Sequence, residues 1–191
     1  MSIALAVMMD GRYDYHTRAL RSAMENLPKF DQYIFVDDYN HELGFAGAVQ
    51  HAWSQVETDY LFHFEADFTF NEPPPIGVMR NLLKHHPHLV QFALMRQPIN
   101  PVEKARGWIV PDDHRVVEWN PYTWVEHTGY VTTNPSLWPR WVIDRGWPQR
   151  SESEGHFGID LFASNEKLRA AFWGTKELVT HIGDERRGKG Y

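Results

Sequence analysis

The stretch Tyr60-Leu61-Phe62-His63-Phe64-Glu65-Ala66-Asp67 decides the fold, because an apolar, aromatic segment ends there in two carboxylates. The apolar part predicts a buried strand. An unpaired buried charge costs several kcal/mol, so we expect Glu65 and Asp67 just beyond the strand, where a metal ion or polar ligand compensates them. Residues two apart on a strand project to the same side, so both carboxylates can face one site. Their oxygen atoms suit Mg²⁺ or Mn²⁺ bound to a diphosphate.

The first half of the chain alternates strand and helix patterns around that stretch. The predicted elements are a strand over 3–9, a helix over 13–27, a strand over 33–36 and a helix over 45–56. Short, uniformly apolar strands separated by helices predict a parallel sheet covered on both faces. Ligands then bind beyond the carboxyl ends of the strands. Five acidic residues fall at such ends: Asp10, Asp37, Asp38, Glu65 and Asp67.

The second half is less regular, and from Arg96 to Pro148 it is rich in Pro, Trp and turn residues. We predict helices over 76–86, 135–144 and 154–163, strands over 89–95, 127–133, 170–173 and 178–182, and a hairpin that joins 108–110 to 116–119. No linker divides the chain. We expect one domain over 1–191, with a nucleotide-binding half over 1–95 and an acceptor-binding and catalytic half over 96–191.

The composition of the chain excludes several classes of protein. The chain has 42% hydrophobic and 23% charged residues, which is typical of a folded globular protein. Its apolar runs are too short to cross a bilayer, and no basic region precedes the first, so we expect a cytoplasmic protein without a membrane anchor. The absence of cysteine excludes disulfides and thiolate metal sites. A net charge of −6 argues against a broad nucleic-acid-binding surface but leaves a local contact open.

Several motifs resemble those of GT-A-fold glycosyltransferases, in which a helix leads into a strand that ends in an Asp-X-Asp type motif. The first group is Gly44-Phe45-Ala46-Gly47-Ala48, Thr58-Asp59-Tyr60 and Glu65-Ala66-Asp67. The later group, similar to small, family-2-like members, is Thr133-Asn134-Pro135-Ser136-Leu137, Ser153-Glu154-Gly155-His156-Phe157 and His181-Ile182-Gly183 with 186–191. The resemblance covers most of the chain and is weakest between Arg96 and Tyr130. It departs from the family pattern at Glu65, where the motif begins with Asp.

This resemblance implies an α/β fold of GT-A type, with a Rossmann-like, mostly parallel central sheet flanked by helices and a hairpin region on the acceptor side. It implies a hexosyltransferase-like enzyme that moves a sugar from a nucleotide-sugar donor to an acceptor hydroxyl. A UDP-linked donor is one expectation. Mn²⁺ or Mg²⁺ is the implied cofactor, and its ligands would be Asp67, His181 and Glu65.

The expected donor-binding residues lie at the strand ends and in the C-terminal tail: Asp10, Arg12, Asp37, Asp38, Glu65, Ala66, Asp67, Arg186 and Arg187. Basic side chains neutralise phosphate oxygens, and glycines between them would let the tail close on a diphosphate. Structural alternatives stay open throughout. The strand-end acids could cap a helix or the predicted loop over 69–75, His181 could belong to the core, and the tail could be a frayed terminus.

Glu154 is the expected catalytic base, because its place in Ser153-Glu154-Gly155-His156-Phe157 matches the family motif. Direct displacement by a deprotonated hydroxyl would make the enzyme inverting. Glu152 and Asp160 are the other candidates, and all three could instead serve the macrodipole at the start of a helix.

Tryptophans are concentrated in the second half, and aromatic rings pack on sugars and bases. Trp108, Trp119 and Trp124 are therefore candidate walls of an acceptor cleft, although some tryptophans must belong to the core. The histidines at 85, 86 and 88 follow a predicted helix and indicate a polar helix end rather than a zinc site.

Two other functions remain open at this point. A nucleotidyltransferase also uses carboxylate-bound Mg²⁺, but it needs a basic, glycine-rich phosphate loop, which Met8-Met9-Asp10-Gly11-Arg12 matches poorly. A non-catalytic nucleotide-sugar-binding module would keep the pocket without needing Glu154. The acceptor is also open, since a protein, a glycan, a small molecule and a modified nucleic-acid base are all compatible with the sequence.

Overall fold

The computed structural model describes residues 1–98 and 114–185. The strands are β1 (Ile3–Met9), β2 (Gln32–Asp37), β3 (Tyr60–Glu65), β4 (Phe68–Phe70), β5 (Leu89–Leu94), β6 (Arg115–Trp119), β7 (Tyr122–His127), β8 (Ser136–Pro139), β9 (Arg169–Trp173) and β10 (Val179–His181). The helices are α1 (Tyr13–Asn26), α2 (Gly44–Trp53), α3 (Ile76–His85), α4 (Arg140–Ile143) and α5 (Ser153–Ser164). A 3-10 helix, Ile182–Glu185, follows β10.

The main sheet has the strand order β2-β1-β3-β8-β5-β9-β7-β6, and β4 pairs with β10 in a small second sheet. In the main sheet β1 is parallel to β2 and β3, and β5 is parallel to β9. Strands β7 and β8 run in the opposite direction to these. The α/β fold class predicted from the sequence is therefore confirmed, with a mixed sheet in which most described strands point the same way.

The uniformly apolar pattern of β3 follows from its burial on both faces. Phe62 and Phe64 pack on one face, in a core that includes residues of α1 and α3. Leu61 packs on the opposite face, in a core that includes residues of α2 and α5. Alternate side chains of a strand point to opposite faces, so a strand in the middle of a covered sheet has no solvent-facing positions. The carboxylates of Glu65 and Asp67 follow at the point where β3 is no longer covered on both faces.

The structure differs from the prediction at two places in the second half and at one in the first. The expected helix over 135–144 is wrong for its first part, which forms β8 between β3 and β5 and leaves only the short α4. The expected strand over 127–133 is wrong, because the strand is β7 and it pairs with β6 across a turn at Asn120-Pro121. The expected loop over 69–75 begins with β4, which pairs with β10. In each case a long-range pairing overrides the local pattern.

The predicted hairpin strand over 108–110 lies outside the described residues, and the division into halves at residue 95 stays a prediction. Strand β8 comes from the second half of the chain but lies between two strands of the first half. None of the helices within 1–98 and 114–185 combines the length and the apolarity that a membrane span requires.

Candidate active site

A cavity of about 220 Å³ opens at the carboxyl ends of β1 and β3, beside the start of α2. Its walls bring together many of the residues expected at strand ends: Asp10, Arg12, Asp38, Glu65, Ala66 and Asp67. Phe45 and Met8 supply apolar wall. The edge of the sheet at which ligands were predicted to bind therefore contains a pocket with both charged and apolar lining.

Arg12 joins two of the acidic residues in this pocket. Its Nη2 atom donates to Asp67 Oδ2 at 3.0 Å, and its Nε atom donates to Asp10 Oδ1 at 2.7 Å. Burial alone would raise the pKa of Asp10, but hydrogen bonds from His16 and Arg12 outweigh it and hold that pKa well below its usual range. Both carboxylates are thus kept ionised in a largely buried place.

His181 reaches the same carboxylate from the other end of the chain. Strand β10 pairs with β4, which brings the His181 ring onto Phe68 and its Nε2 atom to 3.3 Å from Asp67 Oδ2. The Nδ1 atom lies 3.0 Å from Arg96 Nη1. His181 thus lies between the Arg96 guanidinium and the Asp67 carboxylate.

The pKa of Asp67 reflects these contacts. Burial alone would raise it, but His181 and Arg12, each through a hydrogen bond and its charge, bring it below its usual value. The carboxylate therefore stays ionised although only 4% of the residue is exposed.

The residues around Asp67 fit a divalent metal ion. Within the described part of the chain, the buried Asp67 Oδ1 and Glu65 Oε1 atoms have no hydrogen-bond partner. A Cβ atom added at Gly183 would lie 2.7 Å from both Asp67 Oδ2 and His181 Nε2, so this glycine keeps open the space between them. No group of three or more acidic or histidine side chains in 1–98 and 114–185 could hold a metal alone. Asp67 and His181 would therefore share the ion with ligand oxygens and water, as is usual for Mg²⁺.

Glu154 lies in the first turn of α5, and its Oε1 atom accepts hydrogen bonds from Thr133 N at 2.5 Å and Thr133 Oγ1 at 2.8 Å. Burial raises the pKa of Glu154, and the Thr133 hydrogen bonds and the positive charge of Arg96 offset only part of this rise. Arg96 thus acts on Glu154 through its charge and also bonds the His181 imidazole.

The pKa of Glu65 is raised well above its usual value by burial and then by the negative charges of Asp67 and Glu154. The charges of both Asp67, which pairs with cations, and Glu154, the expected base, thus act on Glu65. Its protonation depends on both neighbours.

Of the two aspartates at the end of β2, Asp38 has the capping role that the sequence left open. Its two carboxylate oxygens accept hydrogen bonds from Leu43 N at 3.0 Å and Gly44 N at 2.9 Å, at the start of α2. Asp38 also lines the cavity, so a contact with the nucleotide stays a prediction for it. Asp37 is exposed and does not line the cavity.

The tryptophans expected in an acceptor cleft lie in different surroundings. The prediction for Trp124 is wrong, because its ring is fully buried against Phe92 and its Nε1 atom donates to Glu126. Trp119 is 45% exposed and packs edge-on against His86, so its acceptor contact stays a prediction. Three further expected site residues lie outside the described residues: Trp108, Arg186 and Arg187.

Sequence reasoning missed the site roles of Arg96, Thr133 and His16. Arg96 follows β5 by two residues, so the same strand-end rule that selected the aspartates would have found it. The bond between Thr133 and Glu154 spans 21 residues and has no local signal. His16 lies on the buried face of α1, and its position in the helix is the same as that of an ordinary core residue.

No protein-family model matches the sequence, and no curated protein is similar to it in sequence. The structure, however, resembles solved ones. S. aureus TarS 1-349 in complex with UDP superposes with a TM-score of 0.64 and 13% identity, over 94% of this chain and 60% of that chain. The mannosyltransferase PcManGT from Pyrobaculum calidifontis, in complex with GDP-Man and Mn²⁺, gives a TM-score of 0.65 and 12% identity, over 97% of this chain and 58% of that chain.

This chain has the fold of these glycosyltransferases. It spans about three fifths of the length of each, 60% and 58%. Identities of 12–13% establish a common fold and leave donor, metal and mechanism to be argued from the residues. Membership of the small, family-2-like group stays a prediction.

Proposed function

We propose that this protein is a metal-dependent, inverting glycosyltransferase that moves a sugar from a nucleotide-sugar donor to an acceptor hydroxyl. The observation that carries the proposal is the pair formed by Asp67 and His181, 3.3 Å apart beside a space that only a glycine at 183 leaves open. The solved structures support it, because S. aureus TarS is recorded with UDP and with UDP-GlcNAc, and PcManGT with GDP-Man and Mn²⁺.

The donor would bind along the ends of β1 and β3. Asp67 and His181 would hold a Mn²⁺ or Mg²⁺ ion, which neutralises charge on the diphosphate leaving group. Arg12 holds Asp67 in place from the α1 side. Asp10, Asp38 and Ala66 line the same cavity and would contact the donor there. Arg186 and Arg187 would contact the diphosphate oxygens.

Glu154 would act on the acceptor. As the acceptor oxygen attacks the anomeric carbon, the Glu154 carboxylate takes the hydroxyl proton and the bond from that carbon to the diphosphate breaks. A base is most effective when its pKa lies near the working pH, so the raised pKa of Glu154 favours this role. Thr133 fixes one carboxylate oxygen through two bonds and thereby orients the other.

The decisive experiment scores a panel of nucleotide sugars for metal-dependent thermal stabilisation. A ligand at about 100 times its dissociation constant adds roughly 2.7 kcal/mol to stability, which a thermal scan detects readily. We expect a UDP-linked or GDP-linked sugar to stabilise the protein with Mn²⁺ or Mg²⁺ and not with EDTA. Stabilisation by nucleoside triphosphates alone would indicate a nucleotidyltransferase instead.

A second measurement separates a transferase from a binding module. The stabilising donor is incubated with the protein and metal, and release of nucleoside diphosphate is followed. We expect slow donor hydrolysis that accelerates when acceptor hydroxyls are supplied from protein, glycan, small-molecule and nucleic-acid pools. Tight binding without any release of diphosphate would identify a non-catalytic module.

A further inference from the structure

Helix α5 presents Glu154 to the site on the same face that anchors the helix. The buried residues of this helix are Ser153, Phe157, Gly158 and Leu161. Residues three and four apart share a helix face, so Phe157 and Gly158 lie one turn beyond Glu154 on its own side. The depth at which this face packs therefore sets the position of the Glu154 carboxylate.

Gly158 packs directly against backbone. A Cβ atom added there would lie 3.0 Å from both Tyr130 Cα and Val131 N, and 3.1 Å from Tyr130 C. Contacts of 3.0 Å are tighter than nine in ten of those that real Cβ atoms make, and backbone atoms have no rotamer by which to withdraw. A side chain at 158 would thus require either the helix or the facing segment to move.

The facing segment is held firmly by the central sheet. Thr132 N donates to Gln91 Oε1 at 3.2 Å, and Gln91 Nε2 donates back to Thr132 O. Gln91 is in β5 and is only 1% exposed. Breaking this reciprocal pair would leave buried polar groups unsatisfied, which is costly. The helix is therefore the part that would yield.

An aromatic cluster packs against α5 through Phe157. The Phe157 ring centroid lies 5.1 Å from that of Trp147 and 5.6 Å from that of Trp53. Such contacts stabilise one position of the helix, because protein interiors are too closely packed to allow a free shift. Helix α5 is thus fixed by the cluster through Phe157 and by segment 130–133 through Gly158.

We propose that Gly158 is a positioning residue for the Glu154 base. The absence of a side chain at 158 lets α5 approach segment 130–133 closely enough for Thr133 N and Oγ1 to bind the Glu154 carboxylate. This inference rests on the proposed function, in which Glu154 takes the acceptor proton. Donor binding does not depend on the contact, since Asp67, His181 and Arg12 lie on other elements.

The test compares Gly158→Ala with Gly155→Ala in the full chain. Gly155 is on the same helix, but no described heavy atom lies within 4 Å of a Cβ added there. For Gly158→Ala we expect donor affinity by calorimetry within about twofold of the wild type and kcat lower by about tenfold or more. For Gly155→Ala we expect unchanged kcat and an equal or higher Tm, because alanine favours a helix more than glycine.

The pH profile of kcat distinguishes positioning from general damage. Hydrogen bonds from Thr133 lower the pKa of Glu154, so their loss should move the acid limb of the Gly158→Ala profile to higher pH. The described charged groups that act on Glu154 are Glu65 at the end of β3 and Arg96 after β5, and neither is altered by the variant. An unchanged profile with wild-type kcat would overturn the proposal. Equal losses in the two alanine variants would also overturn it.

Two further variants keep the inference testable if Gly158→Ala does not fold. Thr133→Val removes the hydroxyl bond from the other side of the contact, and Thr133→Ser retains it. We expect Thr133→Val to lower kcat while donor affinity is kept, and we expect Thr133→Ser to have the kcat of the wild type. A wild-type kcat in Thr133→Val would overturn the proposal. Glu154→Gln, measured in parallel, identifies which idea fails. An active Glu154→Gln overturns the assigned base, whereas an inactive Glu154→Gln with an active Gly158→Ala overturns only the positioning role.

Discussion

Two carboxylate neighbourhoods meet at this site, and they are built in opposite ways. Asp67 and Asp10 are bound by Arg12 and histidines, and the pKa of each is lowered. The pKa of Glu154 and of Glu65 is raised by burial, and at Glu65 also by neighbouring carboxylates, and the nearby arginines and Thr133 offset only part of each rise. The same functional group is thus kept ionised in one place and made a readier proton acceptor in the other. The first property suits a metal ligand, and the second suits a general base.

The largest effect should come from a change in the first neighbourhood, in which cationic side chains bind Asp67. We expect Asp67→Asn to abolish metal-dependent donor binding, because the neutral amide loses the charge that attracts the ion and leaves Arg12 and His181 without their shared partner. Calorimetry with Mn²⁺ and the donor found in the thermal panel measures this. Asp144→Asn is the matched control, since its exposed carboxylate pairs only with Arg140 in the described chain. If the wild type binds the donor with undiminished affinity in EDTA, donor binding does not depend on a metal ion and this prediction is wrong.

In the second neighbourhood we expect Glu154→Gln to keep donor affinity and to lower the rate of sugar transfer by about a hundredfold, the usual contribution of a positioned base. The amide still accepts bonds from Thr133 but cannot take a proton. Steady-state rates of diphosphate release measure this.

Glu152→Gln and Asp160→Asn serve as controls for Glu154→Gln. Both side chains are exposed, and Asp160 pairs with Arg150. A dead control beside an active Glu154→Gln would transfer the role of base to that residue. If all three variants turn over normally, none of these residues is the base, and the inverting mechanism loses its support.

A smaller effect is expected from Gly183→Ala. The added methyl group would enter the space between Asp67 Oδ2 and His181 Nε2. Disturbance of a metal site at this level weakens affinity by roughly 10- to 100-fold. Titration of Mn²⁺ with donor present measures the change, and Gly77→Ala, where a Cβ meets no described atom within 4 Å, should bind as the wild type does. Equal affinity in the two variants would show that the ion lies elsewhere.

The smallest effect concerns stability. The pKa of Glu154 is raised in the folded protein, so its stabilising contribution is present at low pH and is lost as the pH rises through that pKa. Glu154→Gln removes this loss. We expect its Tm, relative to wild type, to increase between about pH 5 and about pH 8. Thermal scans across this range check the trend, and the exposed Glu152→Gln should show no such gain.

Much of the first half of the fold was predictable because its signals are local. The run ending in Glu65 and Asp67 predicted a strand with carboxylates at its end, and β1, α1, β2, α2 and β3 all lie where periodicity predicted them. The second half was less predictable. Strand β8 enters between β3 and β5, and its Leu137 and Trp138 are buried on opposite faces. That placement depends on partners distant in sequence, whereas the local pattern predicts a helix.

The sequence by itself determined the alternation of strands and helices, the apolar core of the sheet and the carboxylates at its edge, because each depends on neighbours a few residues away. Only the tertiary structure decided which charges meet. Arg12 bonds a carboxylate 55 residues away, and His181 approaches the same carboxylate across 114 residues. Such contacts, and the opposite pKa shifts that they cause, arise from chain segments brought together by the closing of the core, and no local pattern records them.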